Sequence, residues 1–412
     1  MEPSPFSGTA ADGAPRRGGF KGLVTGPGPF GLHPGLAAAG TWLVARLAAL
    51  GVLALLVAPR GVSLAGYLGT KYDAGWYGSV ARYGYQQFDP EVATNLAFFP
   101  LLPWLMRALA TVTPLEVAAA GLVISLLAGA AAAWAMGLIA RQLAPAAGWC
   151  PGLLLVTVWA WLPHGTVESM AYTETLFTAL AAWALWAVLA GRLVTAGLLT
   201  AVAGLSRPSA AALIAVVGLA CLIALVKALR AGDRAERRAA WRPLLGGLVS
   251  PLGLLGFVAF VGHRVGRWDG YFEVQRLWGT TFDGGRWTLG AIKDVLTGAQ
   301  SPGDYQVVTL VLAAAVVLAV LSLVGPGRQP WPLWAFSLLL LVLAIGPAHY
   351  FNARGRFLLP AFALLWPVTV GLDRLRRKRW AGVAAVALIL VGLAVGCTAF
   401  GYYLVVDWPW SP

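Results

Sequence analysis

The residue in this sequence best placed to move a proton is Asp73, the acid of "KYDAGWYGSVARYGYQ" at positions 71–86. It stands beside Trp76, Tyr77, Tyr83 and Tyr85 in a chain in which only 11% of residues are charged. A carboxylate in that setting can act as a general base. It can equally cap a helix starting at Ala74, whose first backbone N–H groups need an acceptor. Residue types alone leave both roles open. Cations suited to phosphate stand elsewhere: Arg207 in "GLSRPSA", and Arg354 and Arg356 in "HYFNARGRFLLP". Arginine offers a planar donor fork that matches a phosphate, and it keeps its charge when partly buried. Anchoring in lipid headgroups is the plainer role for the same side chains. Glu174 in "YTETLF" opens an apolar run, either as a charge at a helix N-terminus or as a polar group lining a cleft.

Other reactive residue types form no pattern. Cys150, Cys221 and Cys397 are scattered and give neither a disulfide framework nor metal spacing. The four histidines, His33, His164, His263 and His349, are equally dispersed. "HGTVE" sets His164 and Glu168 one helical turn apart, but a zinc site needs a third ligand, so the pair reads as a solvated turn. Arg46, inside the first apolar run, reads as a side chain snorkelling to the cytoplasmic surface.

The elements that position these residues follow from composition. Of 412 residues, 59% are hydrophobic, which leaves too little polar surface for a soluble domain. The chain reads as an all-α polytopic membrane protein of about eleven spans. They lie near 36–58, 116–140, 149–163, 172–190, 193–206, 208–229, 243–262, 305–325, 331–348, 357–372 and 381–403. Residues 1–34, rich in Gly and Pro, read as a disordered cytoplasmic tail, and 35–412 as one transmembrane domain. The run 96–112 is apolar but holds Pro100, Pro103 and Arg107.

Charge placement decides that case. With the N-terminus inside and 96–112 not crossing, seventeen basic residues and five acidic ones fall inside. Twelve of each fall outside. The basic bias of cytoplasmic loops therefore favours eleven spans, with 59–115 wholly outside. It also explains a net charge of +13 without nucleic acid. The basic runs at 227–242 and 374–379 read as topology determinants that meet lipid headgroups. Two outside segments are long, 59–115 and 263–304, and both mix rings with charges as interfacial segments do.

"YDAGWYGSVARYGY" followed by "NLAFFPLLPWLMRAL" resembles the PIG-V-like mannosyltransferases. "YTETLF", "GLSRPSA", "WDGYFEVQRLWGTTFDGG" and "RGRFLLPAFALLWP" match in order, so the resemblance spans roughly residues 40–370. It implies a multi-spanning glycosyltransferase of the GT-C class, in the cell membrane, acting on the extracytoplasmic face. The implied partners are a polyprenyl-phosphate-linked sugar donor, membrane lipids, and an acceptor glycolipid, protein or small molecule. Carried onto this chain, Asp73 becomes the catalytic base, with Arg207, Arg356 and Arg354 as donor-phosphate contacts. Trp76, Tyr77, Glu174, Gln275 and Trp278 become cleft residues. No cofactor is implied. The lone acid of the opening motif, against the paired acids of metal-dependent GT-C relatives, argues against a metal. Two other classes compete: a transporter or flippase, and a non-catalytic partner of a glycolipid assembly complex. The absence of a convincing internal repeat weakens the first.

Overall fold

The computed structural model describes residues 33–299 and 302–412. Nearly all of the segment read as a tail lies outside them. Among the described residues the chain is helical, with one isolated β-bridge between Phe282 and Pro347. The helices used below are α1 (Pro34–Val57), α2 (Leu64–Thr70), α3 (Asp73–Tyr83), α4 (Leu101–Val112), α5 (Val117–Leu143), α6 (Cys150–Ala160), α7 (Glu174–Leu189), α8 (Leu193–Gly204) and α9 (Ala210–Arg230). They continue as α10 (Trp241–Val249), α11 (Leu252–Val265), α12 (Gly270–Leu277), α13 (Arg286–Thr297), α14 (Gly303–Leu321), α15 (Trp331–Ile345), α16 (Arg354–Phe357), α17 (Trp366–Arg376) and α18 (Arg379–Val406).

Every apolar run read as a span is met by a helix, but not always by a straight, full-length one. Six helices are long and apolar enough to cross a membrane, and eight if each of two bent pairs counts as one span. The apolar helices that separate this number from eleven, α7, α8 and α15, hold 16, 12 and 15 residues. Each is shorter than the roughly 20 residues that a full crossing takes. The bent pairs are α6 with the 3₁₀ turn at 163–169, at 89°, and 351–357 with 362–376, at 76°. Pro163 and Pro360 stand at the breaks, where a missing N–H and a fixed φ stop a helix from continuing. The 12 residues of α4 reach only about 18 Å, well short of the roughly 30 Å bilayer core.

Lipid offers no hydrophobic drive between helices, so close packing must hold them together. α5 meets this need with a run of Ala and Gly that faces α1 and α7. At Gly129 a Cβ would come within 2.0 Å of the Trp42 ring, so only glycine admits that indole. Trp42 is fully buried and donates its N–H to Glu168 Oε2 at 2.9 Å. The sequence expectation for this corner is therefore corrected. His164 and Glu168 form no solvated turn: both are buried, because the break after α6 folds the turn back into the bundle. Arg46 does not snorkel either. It is 1% exposed and donates to the Ala160 carbonyl at 2.9 Å and to Ser169 Oγ, satisfying backbone that the break leaves open.

The two long segments read as outer loops pack on each other. Phe99 meets Phe257 with ring centroids 4.3 Å apart, and Leu96, Val261, Tyr271 and Val274 complete that cluster. The bridge at Phe282, with Ala348 N–H donating to the Thr281 carbonyl at 2.7 Å, ties the second segment to the end of α15.

Candidate active site

Asp73 is the first residue of α3, and the residue before it, Tyr72, has a left-handed φ of +53°. His349 and Tyr350, just ahead of α16, also have positive φ, at +59° and +47°. Such angles are strained for residues with a Cβ and gather at functional sites. Here they turn the chain so that Asp73 and Arg356 meet.

The two line one pocket of about 360 Å³. Arg356 Nη1 lies 2.7 Å from Asp73 Oδ2 and 3.7 Å from Glu174 Oε1. Arg207 Nη1 lies 2.9 Å from the same Glu174 oxygen, an ionic contact without hydrogen-bond alignment. Four charges thus form a chain, Asp73–Arg356–Glu174–Arg207. The Asp73 side chain is 26% exposed against 3% for Glu174, so Asp73 is the carboxylate open to a ligand. The arginines are held from below by rings: Arg356 lies over Tyr172 at 5.0 Å, and both Arg207 and Arg356 lie over Phe357.

The cap role that the sequence left open for Asp73 is not taken up. Its side chain makes no bond to the free N–H groups of α3 and goes to Arg356 instead. Its own N–H donates to the Tyr172 hydroxyl at 3.3 Å. Tyr77, one turn on, shares a hydrogen bond with Thr173 Oγ1 at 3.2 Å. Burial first, then the Asp73 and Glu174 carboxylates, push the Tyr77 hydroxyl above its usual range, so it stays protonated and serves as a polar contact.

Gln275 and Trp278 line the pocket, with Trp278 donating to the Thr94 carbonyl at 3.0 Å. Trp76 does not line it. It stacks on Phe98 and meets Trp278 edge-on at 5.2 Å, bracing the wall from behind. Arg354 also departs from expectation. It lines the pocket, but its guanidinium donates to the carbonyls of Ala344, Ile345, Pro347 and His349. These are backbone groups freed where α15 ends, whereas Arg207 and Arg356 pair with the pocket carboxylates. Arg354→Lys is expected to destabilise the protein by about 3 kcal/mol, because one ammonium cannot span those carbonyls. Thermal unfolding in a fixed detergent measures this.

Sequence reasoning missed Tyr172, Ser209 and Ser411, all at this site. Tyr172 was within reach, two residues from Glu174. Ser411 was not: it arrives from 239 positions beyond Tyr172, sharing a hydrogen bond with that hydroxyl at 3.4 Å and accepting from Asn352 through its carbonyl. Among the described residues no three His, Cys, Asp or Glu side chains are grouped for a metal.

No family model matches the chain, and no curated protein matches it in sequence. Solved structures do match. ArnT from Cupriavidus metallidurans, in a crystal structure bound to undecaprenyl phosphate, superposes with a TM-score of 0.51 at 15% identity. The match covers 86% of this chain and 76% of that one. The fold is of the GT-C type. In this GT-C fold, the charged pocket is built from the two long segments outside the main helices, the mouths of α7, α9 and α15, the short helix α16 and Ser411.

Proposed function

We propose that the protein is a membrane glycosyltransferase that moves a sugar from a polyprenyl-phosphate-linked donor to an acceptor hydroxyl, with Asp73 as general base. The observation that carries this reading is the ionic chain Asp73–Arg356–Glu174–Arg207, with its exposed end at Asp73. The shared fold with ArnT, whose structure holds undecaprenyl phosphate, supports the class of donor. The resemblance to PIG-V-like mannosyltransferases supports mannose as the sugar, and the loop charges support a cytoplasmic N-terminus with the site on the extracytoplasmic face.

The chemistry balances within this pocket. The acceptor oxygen bonds to the anomeric carbon as the bond from that carbon to the phosphate oxygen breaks. The bonding pair leaves on phosphate, and the acceptor proton goes to Asp73. The four residues together are neutral, and a phosphodiester donor adds one negative charge. As the phosphate gains a second, Asp73 loses its own by taking the proton. Arg356 adjoins Asp73 and, in this reading, the phosphate, so it remains matched to a carboxylate at the start and to the leaving group at the end. Attack in one step from the opposite face inverts the anomeric centre and turns a β-linked lipid donor into an α-glycoside.

The purified protein in lipid nanodiscs, given polyprenyl phosphate mannose and a membrane extract, is expected to release polyprenyl phosphate and label one product class. Glucosyl and arabinosyl lipids serve as parallel donors. Transfer from one of those alone overturns mannose, and no transfer from any of them overturns the enzyme reading.

A further inference from the structure

The short helix α16 stands between two cavities. Arg354 and Arg356 line the charged pocket, while Gly355 and Leu358 line a second cavity of about 430 Å³, between α14, α18 and the turn after α16. The α14 wall of this groove comes from Val307, Leu310, Val311, Ala314, Ala315 and Leu318. That is a helical stripe twelve residues long, about 16 Å at the α-helical rise. Gly396 and Phe400 supply the α18 wall.

One lining residue is polar. His164 is 1% exposed, meets Phe400 edge-on at 5.2 Å, and packs on Gly355, where a Cβ would come within 2.1 Å of its ring. Its Nε2 lies 3.8 Å from Asp304 Oδ1, beyond hydrogen-bond distance, and Asp304 is fully buried one turn before Val307. Among the described residues, neither ring nitrogen of His164 and neither carboxylate oxygen of Asp304 has a hydrogen-bond partner. Buried polar atoms left in that state are costly and call for a partner. The transfer reaction makes no use of them. The groove therefore has a polar head at His164, with Asp304 behind its ring, and a long apolar body running along membrane helices.

We propose that this groove binds a neutral lipid alcohol, with its hydroxyl at His164, which Asp304 backs, and its hydrocarbon chain along α14. The head chemistry follows from what the two residues lack. A carboxylate only accepts, while a neutral imidazole both donates and accepts, and a hydroxyl offers one donor and two lone pairs. A phosphate head brings acceptors and a negative charge against Asp304. An ammonium brings donors but nothing for the imidazole N–H. Because α16 separates the groove from Asp73, this hydroxyl is not the one that reacts. The lipid backs the Gly355 face of α16, the helix that presents Arg356. The proposal rests on the groove alone and stands apart from the sugar-transfer reading.

Two sources supply such a head, an isoprenoid alcohol and a diacylglycerol. Native mass spectrometry of the detergent-purified protein, titrated with geranylgeraniol and with dioleoylglycerol, tests both. One alcohol per chain is expected, at least tenfold tighter than dioleoyl phosphatidylethanolamine or phosphatidylglycerol. His164→Phe, which keeps the ring and removes its nitrogens, is expected to weaken binding at least tenfold. Ala314→Trp, at an exposed position on the groove wall, fills the body, leaves both polar groups in place and is expected to abolish binding. The stronger alcohol identifies the source. Binding of neither alcohol, preference for either phospholipid, or unchanged binding in Ala314→Trp overturns the proposal.

Discussion

Asp73→Asn is expected to fold and insert like the wild type and to transfer sugar at least about a hundredfold more slowly, the usual scale for loss of a general base. The substitution keeps the shape of the side chain and removes only its capacity to take a proton. It also removes the nearest negative partner of Arg356, leaving Glu174, which Arg207 shares, at 3.7 Å. That remaining contact is why folding is expected to survive. Asp73→Ala should be as inactive. The comparison is made as turnover at saturating donor, with thermal stability measured in the same detergent. Near-normal turnover of Asp73→Asn at wild-type stability removes Asp73 from the chemistry.

Arg356→Lys is expected to lower kcat/KM for the donor by about a hundredfold, the scale of one lost oxyanion-stabilising group. Charge is retained, so simple attraction of an anion to the pocket changes little. What is lost is the planar fork. In the resting site one Arg356 nitrogen already serves both Asp73 and Glu174, and the guanidinium lies over the Tyr172 and Phe357 rings. An ammonium on a flexible stem reproduces neither the sharing nor the stacking. Arg207→Ala, at the buried end of the chain of charges, should act mainly through donor KM. If Arg356→Lys matches wild type while Asp73→Asn is dead, the phosphate is held elsewhere.

How far these assignments were legible in the sequence differs from residue to residue. Helices were legible because bilayer-length apolar runs have few alternatives, so even the short α8 announced itself. Where a helix breaks was harder. Pro163 and Pro360 are visible, but whether a proline bends a helix or begins the next depends on what receives the freed carbonyls. Arg46 takes that task at Pro163 and Arg354 takes a like one at the end of α15, and no local pattern separates an arginine that binds backbone from one that pairs with a pocket carboxylate. Asp73, Arg207, Glu174 and Arg356 were legible as candidates because a charge is conspicuous in an apolar chain. That they form one ionic chain was not, since their spacing in sequence says nothing of the folds at Tyr72 and Tyr350 that bring them together. His164 was misread for the same reason: its neighbours in space, Gly355, Asp304 and Phe400, are all more than a hundred residues away.

The span of chain that contributes to the pocket carries a consequence for biosynthesis. Asp73 comes from near the start and Ser411 from the far side of α18, and the Tyr67 hydroxyl donates to the Leu404 carbonyl at 2.8 Å between those regions. A nascent chain that has inserted its first helices holds Asp73, but not the strained turn at Tyr350, Arg356 or the segment carrying Ser411. Under the proposed reaction, a partly made protein therefore lacks part of its pocket and cannot spend lipid-linked sugar. In that reading each molecule becomes competent only after the helix preceding Ser411 has entered the bilayer and packed against α1, so correct insertion of the late helices doubles as a checkpoint.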